Sequence, residues 1–376
     1  MTRPLELPSA AWVAALAGLP GMGPVRLAAL LRRWAPQEAW GRVRAGDAHL
    51  DPQVAADARR LDASVVAAWQ MASTGIDVSQ AWLANVEAGV GVVSRGDAAY
   101  PAPLVDDPEP PTVLFHLGRL GVLGRPRVAV VGTRRCTYAG RTTAHELGYD
   151  LAAAGVCVVS GLASGIDGAA HTGALAAGGA PPLAVVGTGL DVVYPRRNAD
   201  LWAHVATAGC VVSEYPLGTR PDTWRFPARN RIIAGLADVV VVVESHARGG
   251  AMHTVDAALE RDRPVMVVPG PVRSSASAGT NDLLAAGSAP VRDAGDVLVA
   301  LGLGSGVAGR GRFDPRPPPN PLGSRILEAM GWHPATIEQV TERLDQPLGE
   351  VAVELSNLER QRWLVRHGSW FDRAGA

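Results

Sequence analysis

From residue 127 onward, short unbroken apolar runs alternate with segments whose apolar residues return every three or four positions. Val128–Val131 is too short for a helix and rich in β-branched side chains, the pattern of a strand buried on both faces. After a loop of Gly132, Thr133, Arg134 and Arg135, the spacing of Ala144, Leu147, Leu151 and Ala154 predicts a helix that Gly155 closes. A second strand, Val156–Ser160, runs into the glycine loop Gly161–Gly165. Further apolar runs lie at Pro182–Gly189, Cys210–Glu214, Ala237–Glu244 and Pro264–Gly270. Strand and helix alternating in this way predict an α/β core with a parallel sheet over residues 96–302.

Other patterns flank that core. Residues 1–95 are helical in pattern, and Leu16–Pro24, followed by Val25, Leu27, Leu30 and Leu31, predicts a helix-hairpin-helix within a SAM-like helical domain. Its glycine turn is suited either to grip a phosphate without reading sequence or only to pack. Tyr100–Gly118 reads as a connector packed on the core, with Val113–Phe115 as an extra strand. A glycine and then proline bias predicts a flexible linker over residues 303–321. In residues 322–376, three short helices and a hairpin around His367-Gly368 predict a winged helix. Its third helix carries Glu350, Glu354 and Glu359, which repel phosphates, so a protein-binding or structural role is expected of it.

Charge narrows the chemistry. The 35 basic residues, all arginine, face 36 acidic ones in 376 residues, so any electrostatic footprint must be local. In a parallel sheet the strand-to-helix loops share the carboxyl edge, where helix amino termini offer free N–H groups to anions. Arginines cluster at those loops. Arg134 and Arg135 follow the first core strand, Arg196 and Arg197 the third, and Arg248 with Gly249-Gly250 the fifth, which Arg229 and Arg231 precede. Such guanidinium groups, with open backbone amides, predict a groove for several phosphates. Glu214 and Glu244 end strands on the same edge, either to meet ribose hydroxyls or to partner Arg229 and Arg231.

Other chemistries are poorly supported. Gly132 and Gly187-Thr188-Gly189 both fail the G-x-G-x-x-G pattern, and the P-loop pattern is absent. Asp167 and His171, four apart on one helix, read as a cap and a packed histidine before they read as a general-base pair. Three cysteines and scattered histidines lack metal spacing, so neither a metal nor a cofactor is expected. No apolar run approaches the length of a membrane span, which makes the cytoplasm the default.

Several of these motifs together resemble the DNA-processing protein A (DprA, or Smf) family. They are Val131-Gly132-Thr133-Arg134, Ser160–Asp167 with Ala170-His171, Tyr194-Pro195 with Asn198, Phe226–Ile233, Pro269-Gly270 and Gly279-Thr280-Asn281. The resemblance spans roughly residues 97 to 300, and it implies an extended Rossmann-like core between the helical and winged modules. It also implies a non-enzymatic homodimer, joined through that core, which binds single-stranded DNA and loads the RecA recombinase in natural transformation. Carried over by motif, Arg134 and Arg196 are the expected phosphate contacts. Gly132, Thr133, Ser160, Gly161, Ser164, Gly165, Asn198, Arg229, Asn230, Arg231, Gly249 and Gly250 complete the expected DNA-binding set. Ser164 departs from the family, which usually has arginine there, and Gly249–Thr254 departs from its usual loop. A core of this kind also looks like the phosphoribohydrolases that act on nucleoside monophosphates. Their P-G-G-x-G-T-x-x-E loop is not reproduced, because the glycine before Thr254 is missing and Asp256 is misplaced for their glutamate.

Overall fold

The structure, a computed structural model, describes residues 7–58, 61–304, 316–331 and 333–374. The chain divides into two compact units, Met1–Ala308 and Gly309–Ala376. Most of the expected linker, residues 305–315, lies outside the described residues.

The first unit is built on one nine-stranded sheet. Its strands are β1 (Gly91–Ser94), β2 (Val113–Gly118), β3 (Arg127–Val131), β4 (Cys157–Ser160), β5 (Leu183–Val186), β6 (Cys210–Ser213), β7 (Val239–Val242), β8 (Val265–Val267) and β9 (Ala289–Pro290). They lie in the order β1-β2-β6-β5-β4-β3-β7-β8-β9, parallel from β6 to β9, with β1 and β2 antiparallel at one end. The order reverses at β3, which lies between β4 and β7. Each expected core strand is present; β3 begins one residue before its apolar run, and the others are shorter than theirs. β1 falls within a stretch that reads as helical, because four residues are too few to show a period of two.

Among the described residues six α-helices precede the sheet: α1 (Ser9–Ala17), α2 (Pro24–Arg33), α3 (Pro36–Ala45), α4 (Pro52–Asp57), α5 (Ala63–Gly75) and α6 (Val78–Glu87). The sheet's own helices are α7 (Tyr138–Ala153), α8 (Ile166–Ala177), α9 (Ala199–Ala208), α10 (Arg225–Leu236), α11 (Met252–Leu259), α12 (Ala278–Ala285) and α13 (Ala294–Ala300). Alternation along β3 separates two cores. Val128 and Val130 pack with α7, α8 and α13, while Ala129 and Val131 pack with α10 and α11. α7 and α8 approach so closely that a Cβ on Gly148 would lie 2.1 Å from the Ala170 carbonyl oxygen.

The amino-terminal helices share a third core with β1, β2, β5 and β6, through Val92, Phe115, Val186 and Val211. Their hairpin turn is tied inward. Trp69 Nε1 donates to the Pro20 carbonyl at 2.9 Å, and Arg26 to that of Gly21 at 2.7 Å. Arg32 and Arg33 pair with Asp57 and Asp51 of the same helical segment. These contacts favour the packing reading of the turn. The acidic connector is pinned as well: Asp107 receives two hydrogen bonds from Arg261, at 2.8 and 2.9 Å, with both side chains buried.

The second unit contains α14 (Pro321–Met330), α15 (Ile337–Leu344) and α16 (Leu348–Arg360), with β10 (Ala335–Thr336), β11 (Leu364–His367) and β12 (Trp370–Arg373) in the order β10-β12-β11. It is a winged helix. Glu354 does not face outward as expected: it repeats with Val351, Leu355 and Leu358 on the inner face of α16. There its carboxylate accepts from Asn320 and Asn357 at 2.8 and 3.1 Å. The outer face of α16 instead exposes Leu348 and Val353 beside Glu350 and Glu359.

Candidate functional site

At the sheet's point of reversal, where open α/β sheets form their binding crevice, the loops after β3 and β7 open into a cavity of about 360 Å³. Gly132, Thr133, Arg134 and Arg135 line one side, and His246, Gly249 and Gly250 the other. Asp167, Arg229 and Asn230 line it as well. A smaller cavity of about 90 Å³ adjoins it, lined by Gly161, Ser164, Thr188, Tyr194, Pro195 and Arg197. Arg134, Ala163, Phe226 and Arg229 belong to both, so the two form one groove.

Its rim pairs guanidinium groups with aromatic rings. The exposed Arg134 lies over Phe226, 4.8 Å from the ring centroid, and Phe226 stacks on Tyr194 at 5.3 Å with the planes 28° apart. Such a surface offers charge to a phosphate and a π-face to a planar group. Arg197 donates to Ser164 Oγ at 2.7 Å, which brings a guanidinium beside the position where the family usually carries its own arginine. Asn198 donates to the carbonyls of Leu162 and Ala163 at 2.9 and 3.3 Å and shapes the loop from behind.

The four expected arginines part company. Arg134 is in the groove, whereas Arg196, exposed on the turn before α9, lines neither cavity; its neighbour Arg197 does. Arg229 is buried under the floor and donates to the carbonyls of Gly161 and Val185, which makes it a clamp between two strand ends. Burial pushes its guanidinium down to about 10, against the opposing pull of Asp167. Arg231, two residues and some 200° further round α10, points away from the groove. It donates to both carboxylate oxygens of Glu214, at 2.6 and 2.8 Å. The crevice is therefore not lined by Arg196 and Arg231. Ser160, whose hydroxyl donates to the Val130 carbonyl at 2.7 Å, and Gly165 also lie outside both cavities. Arg135 belongs to the groove although its exposed position in the loop gave no signal that separates it from Arg134.

Two of the amides that the loops offer at this edge are already taken by carboxylates. Glu244 places its carboxylate at the start of α7, where it accepts from Thr137 N at 2.9 Å and from Thr137 Oγ1 at 2.5 Å. Gly140 makes the room, since a Cβ there would lie 2.3 Å from the Glu244 carboxyl carbon. A side chain thus fills the place that a dinucleotide pyrophosphate takes in a Rossmann fold. Asp167 likewise accepts from Gly161 N at 3.2 Å, and burial raises its carboxyl above the ordinary range despite Arg229. His171 meets the Leu183 carbonyl at 3.2 Å, with burial pushing it down to about 4. Asp167 and His171 are thus a loop anchor and a packed histidine. The charged groups offered to phosphates at this edge are its exposed side-chain cations, Arg134, Arg135 and Arg197.

An arginine-rimmed groove at the reversal point of a parallel sheet, with its first helix capped by its own chain, defines a Rossmann-like binding protein for a phosphate-bearing ligand. The comparisons with known proteins are more particular. The model of the family described as DNA recombination-mediator protein A matches residues 91–302, and that of the DprA winged helix domain matches residues 313–368. Protein Smf of Escherichia coli is 36% identical over 278 residues, covering 71% of this chain and 72% of its own. DNA processing protein DprA of Streptococcus pneumoniae is 42% identical over 202 residues, covering 54% of this chain and 71% of its own. The crystal structure of the Streptococcus pneumoniae protein superposes with a TM-score of 0.64 at 31% identity, over 78% of this chain and 98% of that one. A structure describing the single-stranded DNA binding mode of DprA from Helicobacter pylori gives 0.50 at 30% identity, over 56% and 95%. The chain belongs to the DNA recombination-mediator protein A family.

Proposed function

We propose that this protein binds single-stranded DNA in the carboxyl-edge groove and, as a homodimer joined through its core, protects incoming or exposed strands and loads the RecA recombinase in the cytoplasm. The observation that carries this reading is the rim itself. Arg134 and Arg197 stand beside Phe226 and Tyr194, the combination of cations and stacking platforms that tracks a single strand without reading its sequence. The Helicobacter pylori relative, described with single-stranded DNA, supports it. A duplex fits the crevice poorly because its bases stay stacked inside, away from the rings.

The enzyme alternative finds little support. Glu244 has both carboxylate oxygens engaged by Thr137, and Asp256 is exposed on α11 and lines neither cavity. Release of free base from nucleoside monophosphates, lost in Asp256→Asn or Glu244→Gln, would establish it nonetheless. The direct test is fluorescence anisotropy with a labelled single strand and the matching duplex. The single strand should bind at least about tenfold tighter, roughly 1.4 kcal/mol, and equal affinities would contradict the reading.

A further inference from the structure

Trp224 belongs to neither cavity, yet the structure fixes it as though for contact. It precedes α10 and is 52% exposed, although a tryptophan normally hides most of its ring. Three contacts hold the indole. Its N–H donates to Asp222 Oδ2 at 2.7 Å, the Arg225 guanidinium lies 5.0 Å from its centroid, and Tyr215 meets it edge to face at 6.2 Å. The loop beneath is fastened too, by Gly218 N on both carboxylate oxygens of Asp191, at 2.8 and 2.9 Å, and by Gly189 N on the Thr219 carbonyl at 2.9 Å.

We propose that Trp224 is a second base-stacking station, which takes one nucleobase of a single strand beyond the groove. The inference rests on the single-strand reading above. Its occupant follows from continuity with the groove: two residues further on, Phe226 forms the groove's own ring-and-guanidinium cluster, with Arg134. Because Asp222 holds the indole N–H, the ring has no donor left for a base edge, and its contact is a sequence-tolerant stack. The fold has already ordered the ring, so a stacking base meets a smaller entropy cost.

Stacking and mere support of the loop give different results with two probes of equal charge: a twelve-residue oligothymidylate and its abasic deoxyribose-phosphate counterpart. Trp224→Ala should weaken binding of the first about tenfold and leave the second and the salt dependence unchanged. Trp224→Phe should restore most of the loss, whereas Arg134→Ala should weaken both probes. Equal loss with both probes in Trp224→Ala, or no loss with either, would overturn the station while leaving the groove standing. Failure of the unsubstituted protein to bind either probe would instead overturn the groove, and the station with it.

Discussion

The carboxyl edge of the sheet and the third helix of the winged unit are both elements that commonly meet phosphates, and here they are built in opposite ways. At the sheet edge, fixed carboxylates occupy the amides of Thr137 and Gly161, and exposed guanidinium groups stand beside aromatic rings. On α16 the exposed Leu348, Val353, Glu350 and Glu359 leave Arg360, at the helix end, as its one exposed cation, and the inward Glu354 serves to bind two asparagines. The difference teaches that a fold's usual ligand is a weaker guide than the charges its surface presents. The groove presents clustered cations beside aromatic rings, and α16 a mostly apolar and acidic face.

The comparison breaks most sharply at Arg229. Arg229→Ala leaves two buried carbonyls and Asp167 without their cation, and about 3–5 kcal/mol of core stability should be lost. Thermal melting would register this, and an unchanged midpoint would show that the clamp is dispensable. The next effect is in pH. The folded value of His171, about 4, lies below its ordinary 6.5, so the unfolded chain takes up that proton first as pH falls. Stability present above pH 6.5 should be lost progressively toward pH 4, by about 3 kcal/mol. Asp167 and Glu214, both raised by burial, act with the opposite sign, so the comparison is with His171→Gln, in which the acid loss should shrink. The histidines described in the winged unit are exposed, and this acid sensitivity should belong to the core.

Binding effects follow. Arg134→Ala and Arg197→Ala should each weaken single-strand affinity by about 1–3 kcal/mol, whereas Arg231→Ala, whose guanidinium is spent on Glu214, should lower stability and leave affinity nearly unchanged. The smallest effect should be that of truncation after residue 302, within about 0.5 kcal/mol on single-strand binding. A large loss would mean that the winged unit takes part after all.

Much of this was legible in the sequence. Val128–Val131 and the apolar runs that follow gave the sheet, and the glycine loops gave its binding edge. Direction was not legible. Arg196 and Arg197 differ by one residue, and which of them reaches Ser164 depends on a turn whose geometry the neighbouring chain imposes. Arg229 and Arg231 diverge by helical rotation once α10 is docked, and that docking is a tertiary fact. The Glu244 cap could have been suspected only from Thr137 with Gly140, a pairing too short to distinguish from any helix start.

The central claim is that the groove's exposed guanidinium groups carry single-strand binding. It is tested most directly by titrating a single-stranded oligonucleotide against full-length protein and the Arg134→Ala/Arg197→Ala double variant across a range of salt. Each lost phosphate contact should reduce the slope of log affinity against log salt by about 0.7. The double variant should therefore bind more weakly, with a slope shallower by about 1.4. An unchanged slope and affinity would contradict the account.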